Sequence, residues 1–220
     1  MTLYKCLATG RQSPYGRGVW TPSRWRTTKG ELIPCRRGIH FCREDQIVSW
    51  LNAELWTFED GALDSTIDAG DKMVTRKGRV LERVQAWDAR TARLFTADCA
   101  EHVLPIFERL RPDDDRPRLA IEAARAVARG EIGAAAGAAA GAAAGAAAWA
   151  AAGAAAGDAA GAAAGAAAGA AAGDAARDAA RAAAWAAAGA AAWAAAGAAE
   201  RVWQTGRLME HLSGLPEGQQ

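Results

Sequence analysis

Four side chains near the start of this 220-residue chain have the types and spacing to do chemistry. Cys35, His40 and Cys42 fall within one octapeptide, Cys35-Arg-Arg-Gly-Ile-His40-Phe-Cys42, and Cys6 lies on an apolar run before it. Three thiols and one imidazole could hold a tetrahedral zinc ion. If residues 38–42 form a strand, a period of two puts Ile39 and Phe41 on one face and His40 with Cys42 on the other. The spacing matches no two-knuckle zinc pattern, so a small buried apolar role for cysteine is the plain alternative. Nucleophilic catalysis by Cys35 or Cys42 with His40 lacks a third group to orient the imidazole. Cys99 and His102 stand one helical turn apart, where a half-buried cysteine and an exposed histidine on an amphipathic helix are expected.

The elements that must position these groups occupy the first half of the chain. Residues 3–7 and 18–20 read as short strands around a turn rich in Gly, Pro and Ser; residues 31–34 and 38–42 follow. Residues 44–51 read as a helical turn or two that packs Ile47, Trp50 and Leu51 inward. Strand-length apolar runs return at residues 53–59, 71–76 and 79–84, which makes the first ~85 residues a small α+β unit. Asp88 can cap a helix reaching about Leu110, with Pro105 expected to kink or divide it. The acids at 113–115, followed by Pro117, signal a second helix over 116–129, and Gly130 can end it.

A different rule governs the rest. Residues 133–199 hold 47 Ala, 12 Gly, 3 Trp, 3 Asp and 2 Arg. Every fourth position from Gly133 to Arg201 is Gly, Trp or Arg, with nearly pure Ala between, so this is a repeated unit rather than a biased composition. Alanine favours helix, while each Gly costs about 1 kcal/mol relative to Ala. Several helices whose small faces allow close approach are expected here. Residues 200–212 regain amphipathic character, with Val202, Trp203, Leu208 and Leu212, and Gly214 and Pro216 close the helix.

Bulk properties set limits. Residues 1–16 contain no apolar run of signal length, so a cytoplasmic protein with reduced thiols is expected. The uncharged stretch 134–157 is long enough to span a membrane, but Ala and Gly supply almost none of the insertion energy, and no membrane span is expected. Residues 1–43 carry nine Lys/Arg against Glu31 alone. With Trp20, Trp25 and Tyr15 interleaved, that patch could follow a nucleic-acid backbone. Whole-chain charge is only +1, which favours a solvated face with Arg stacked on Trp over nucleic-acid binding.

Residues 3–7, Cys35, the Gly38–Cys42 segment, Trp50 and the pair Asp71-Lys72 together resemble an uncharacterised domain of bacterial and phage proteins. Its members join a Cys-x-x-Gly-aromatic-His-x-Cys motif to a repetitive, often Ala-rich region. The resemblance covers roughly residues 3–85, with Ile39 in place of the aromatic residue, and implies no activity. Arg116-Pro-Arg-Leu-Ala-Ile-Glu-Ala-Ala-Arg125-Ala-Val-Ala-Arg129-Gly-Glu-Ile is similar to the opening of a helical, Ala-rich family of immunity proteins in toxin systems. A fainter likeness is to ADP-ribosyltransferase folds, although none of Glu54, Glu59 and Glu82 is positioned as a catalytic acid.

The expectation is an α+β chain in three parts. These are a small mixed module over 1–86, two connecting helices over 87–130, and an all-α Ala/Gly-rich repeat region over 131–220. Its function is expected to be non-enzymatic protein binding, in its sharpest form that of an immunity protein, with a protein partner or self-association. A structural assembly role and an ADP-ribosyltransferase-like enzyme are the alternatives. The candidate metal ligands are Cys6, Cys35, His40 and Cys42.

Overall fold

The computed structural model describes residues 1–16, 18–133, 135–136 and 197–214. The chain divides into one unit of Met1–Ala92 with Glu200–Gln220 and a second of Arg93–Ala199. The class is α+β, an antiparallel β region followed by helices. The tetrad repeat lies almost wholly outside the described residues.

Among the described residues, seven strands build the first unit: β1 (Leu3–Leu7), β2 (Arg26–Thr27), β3 (Ile39–Phe41), β4 (Glu54–Asp60), β5 (Ile67–Asp68), β6 (Met73–Thr75) and β7 (Lys77–Arg83). One sheet has the order β1-β4-β7-β2 and the other β3-β6-β5. Every pairing is antiparallel. Alternation along β1 and β3 sends Leu3 and Leu7, with Ile39 and Phe41, to one face. There they pack with Trp20, Trp56, Phe58 and Val80. Phe41 stacks on Phe58 with centroids 4.7 Å apart, and Trp20 meets Phe58 edge-on. Residues 44–50 form a 3-10 helix, not α-helix, and bury Ile47 while Trp50 and Leu51 stay half-buried. The helical turn is held at its start, where Arg43 N–H donates to Gln46 Oε1.

Two sequence expectations change. Residues 18–20 and 31–34 are not strands; each contributes one isolated bridge, Gln12 with Val19 and Ile33 with Arg37. Their backbones turn too tightly for a ladder, with left-handed conformations at Gly18, Gly30 and Cys35. Nothing in the hydrophobic pattern announces β2 and β5, which are two residues each and carry exposed or half-buried side chains.

The helices follow their start and stop signals closely. Helix α1 (Ala89–Leu110) begins where Asp88 Oδ1 accepts the Thr91 N–H at 2.7 Å, and Pro105 lies inside it without dividing it. Helix α2 (Arg116–Arg129) ends at Gly130, whose φ of 77° lets the 126 and 127 carbonyls be satisfied by the Gly130 and Glu131 N–H groups. Just before its start Asp114 accepts the Arg116 N–H and pairs with the Arg116 guanidinium. Residues 197–213 form a third helix, α3, in which Leu208 is fully buried but Val202 is exposed.

Two glycines are dictated by the packing. Gly38 has φ of 144°, and a Cβ there would lie 2.3 Å from Val74 Cγ1. Gly78, on β7, leaves room for the Phe58 ring across the ladder, whose Cζ would be 2.1 Å from an added Cβ. Gly78→Ala should therefore lower stability by about 1–3 kcal/mol through overpacking. Gly206→Ala, with open space around it on α3, should raise stability by up to about 1 kcal/mol. Urea unfolding of the two variants checks both signs.

Candidate functional site

Strand β1 is paired on both edges. β4 lies along one, and on the other Tyr4 N–H donates to Cys42 O while Cys42 N–H donates to Tyr4 O, both at 2.8 Å. Tyr4, Cys6, His40 and Cys42 therefore share the face of this ladder opposite the aromatic core. The period-two reading of residues 38–42 is correct in this respect.

The four candidate ligands separate into two pairs. Cys6 and Cys42 are both buried, and their thiols are hydrogen-bonded to one another. That bond raises the Cys6 pKa and lowers that of Cys42, which the Lys5 and Lys72 charges lower further against the opposing effect of burial. His40 is engaged elsewhere. Residues 33–37 form a tight turn with Cys35 left-handed at φ 64°, and the Cys35 N–H donates to His40 Nε2 at 3.0 Å. An imidazole that accepts there carries its proton on Nδ1 and is neutral. Burial, followed by the Lys5 and Lys72 charges, lowers the His40 pKa. The exposed Cys35 thiol lies within hydrogen-bond reach of Lys72.

Gathering all four around one ion would require His40 to release the Cys35 N–H and Cys35 to leave Lys72. Among the described residues, no group of three or more His, Cys, Asp or Glu side chains stands together as a cation cage.

Two lysines complete the cluster, and the sequence reading missed the part they play. Lys5 lies on the core face of β1, 4.7 Å from the Trp20 ring centroid, and donates to the His40 carbonyl. Burial, with Arg26 adding to it, brings its pKa down to about 8. The alternation Leu3-Lys5-Leu7 was the available signal. Lys72 is 7% exposed, sits 4.4 Å from the Trp50 ring centroid and donates to Asp71 Oδ1 at 3.0 Å. Desolvation opposes its charge, but hydrogen bonds with Asp71 and Cys35 more than offset this and raise the pKa. Trp50 Nε1 donates to Asp71 O, and Tyr15 meets the Trp50 ring edge-on at 6.0 Å. Cys35, His40, Cys42, Trp50, Asp71 and Lys72, far apart in the chain, thus come together beside β1.

The acids considered for catalysis have structural work. Glu54 accepts the Gly10 N–H and the Trp56 Nε1–H, and these bonds, outweighing desolvation, lower its pKa. Glu59 pairs with Arg79, and Glu82 is exposed.

In the second unit, α1 and α2 pack through Ala97, Leu104, Ile121 and Ala124. Arg125 on α2 forks to two acids of α1, reaching Asp98 Oδ1 at 2.8 Å and Glu101 Oε2 at 2.6 Å. Asp98 is only 5% exposed. The fork raises the Arg125 pKa and holds the Glu101 carboxyl below its usual range. Cys99 is half-buried and His102 exposed, as expected of this face of α1.

The sequence profile of the Imm-5 like putative immunity protein family matches residues 83–211, more than half of the chain. The chain belongs to this family. The Imm-5 like segment begins at the last residue of β7 and takes in α1, α2 and most of α3. The cysteine and histidine cluster lies before it. No curated protein and no solved structure matches the chain. Among the described residues, no helix is long and apolar enough to cross a membrane.

Two measurements test these contacts. His40 is depressed below its ordinary value of 6.5, so on acidification the unfolded chain takes up the proton first. Its contribution to stability is complete above that value and is lost as the pH falls through it. Melting followed from about pH 7.5 to about pH 5 should show wild type losing more stability than His40→Gln, whereas parallel curves would remove this linkage. Arg125→Met should cost about 3 kcal/mol, because it strips the fork from the buried Asp98 carboxylate; Arg118→Met, at the exposed pair with Glu108, should cost under about 1 kcal/mol.

Proposed function

We propose that this chain is a non-catalytic, protein-binding immunity protein whose partner is a toxin. The observation that carries this reading is the family match over residues 83–211. The geometry of that segment supports it. Helices α1 and α2 are fixed to one another by the Arg125 fork and an apolar seam, as a surface that keeps one shape before and after binding requires. A pair of helices held rigidly presents side chains at low conformational cost, and that cost decides how much contact energy survives as affinity. Leu119 on α2 is half exposed and is the apolar side chain that such a face offers.

The enzymatic alternative would use Tyr4, His40 and Cys42. Tyr4 and Cys42 are 7% and 4% exposed, and the His40 Nε2 lone pair is committed to the Cys35 N–H. Both facts support the binding reading over a reaction at this face.

Co-expression with toxic proteins encoded beside the gene tests the proposal. One of them is expected to stop growth alone and to be neutralised by the full chain, and native mass spectrometry should then find a stoichiometric complex. Leu119→Asp is expected to weaken that complex at least about tenfold without lowering the melting temperature. A host in which no neighbouring protein is neutralised or bound would overturn the reading.

A further inference from the structure

A cavity of about 340 Å³ opens beside the edge strand β2, lined by Val19, Thr21, Arg24, Trp25 and Arg26. That volume is within the range of about 300–1,000 Å³ typical of small-molecule sites. The geometry points to a binding site for a phosphate-bearing small molecule in this cavity, with Arg24 and Arg26 as the anion ligands.

The first support is charge. Arg24 and Arg26 line the cavity, Lys77 and Arg79 stack on its Trp25, and the acid paired among them is Glu59, which Arg79 takes. Lys5, under Trp20, adds a further buried cation. No acid pairs with Arg24, Arg26 or Lys77 among the described residues. Arg26 is partly desolvated and sits close to Arg24, and both effects lower its pKa. Guanidinium groups gathered without carboxylates between them repel one another, a cost that a bound anion relieves. Planar guanidinium donors match phosphate oxygens in pairs, and a phosphate group has enough such oxygens to accept from two arginines at once.

The second support is rigidity. Arg26 is stacked 4.3 Å from the Trp20 ring centroid and donates to the Val19 carbonyl, so its position is set by the core before any ligand binds. The turn carrying Arg24 is pinned as well: Arg24 N–H donates to Thr21 O, Ser23 N–H donates to Val80 O at 2.8 Å, and Ser23 is left-handed at φ 60°. Trp25 has Lys77 and Arg79 at 4.6 and 4.4 Å from its centroid, which occupies its ring with cations. The indole is thus a wall and a cation support. A base-stacking platform of the kind that single-stranded nucleic acid uses would need that ring free. A compact phosphate group served by two arginines and the Thr21 hydroxyl is the ligand that fits.

Pyrophosphate, titrated calorimetrically into the full-length protein at constant ionic strength, is the probe. Saturable one-to-one binding is expected. Arg24→Gln should weaken it at least about tenfold, while Arg36→Gln, an exposed cation on another turn, leaves it unchanged. Arg24 is exposed and pairs with no acid among the described residues, and Thr21→Val provides a second variant should Arg24→Gln fail to fold. Absence of saturation at millimolar pyrophosphate would overturn the site. Equal weakening by Arg36→Gln would do so too, since it would reduce the effect to overall charge. Tight binding of a single-stranded oligonucleotide that pyrophosphate does not displace would equally replace the site with a nucleic-acid surface.

Discussion

The reciprocal hydrogen bonds between Tyr4 and Cys42 are the joint on which the first unit depends. They are only two bonds, each worth about 1 kcal/mol net. Their consequence lies in what they align. They set β1 between β4 and the segment following β3, so that two small sheets share one aromatic core. They also fix which face each side chain takes, because a slip of one residue would exchange Tyr4 and Cys6 with Leu3, Lys5 and Leu7. The thiol pair, the His40 contact and the buried Lys5 all depend on that register.

Lys5 shows how the constraint is met. An ammonium group buried on the core face of a strand is costly, and no carboxylate pairs with it among the described residues. The indole of Trp20 and the carbonyl of His40 receive it instead. Trp20 in turn carries Arg26 against its ring, so one aromatic side chain accommodates an internal cation and an external one. The electrostatics of the core and of the basic surface therefore share a single residue.

Local signals were legible in the sequence and non-local ones were not. Asp88, Pro117 and Gly130 mark helix ends through contacts within a few residues, and α1 and α2 stand where those residues put them. Strand β1 and the two faces of residues 38–42 follow from alternation, which is also local. The two-residue strands β2 and β5 exist because β7 and β6 are beside them, and no property of Arg26-Thr27 or Ile67-Asp68 announces that. The candidate site divides in the same way. Cys6, His40 and Cys42 share a face, as parity requires. That His40 would be claimed by the Cys35 backbone depends on a left-handed turn at a non-glycine residue, which residue type does not suggest. Lys72 and Trp50 reach the cluster only through tertiary packing.

With the Tyr4–Cys42 joint counted, the strands of the first unit run in one continuous order, β2-β7-β4-β1-β3-β6-β5. Both outer members are two residues long. Strands β1 and β4 lie inside this order, β7 is flanked by β2 over Lys77 and Gly78, and the outermost strands are a pair of stubs, one of them bearing Arg26 and the other Asp68. Open sheet margins ordinarily invite another chain to add itself and begin fibrillar growth. Outer strands this short and this charged give an incoming strand little to continue.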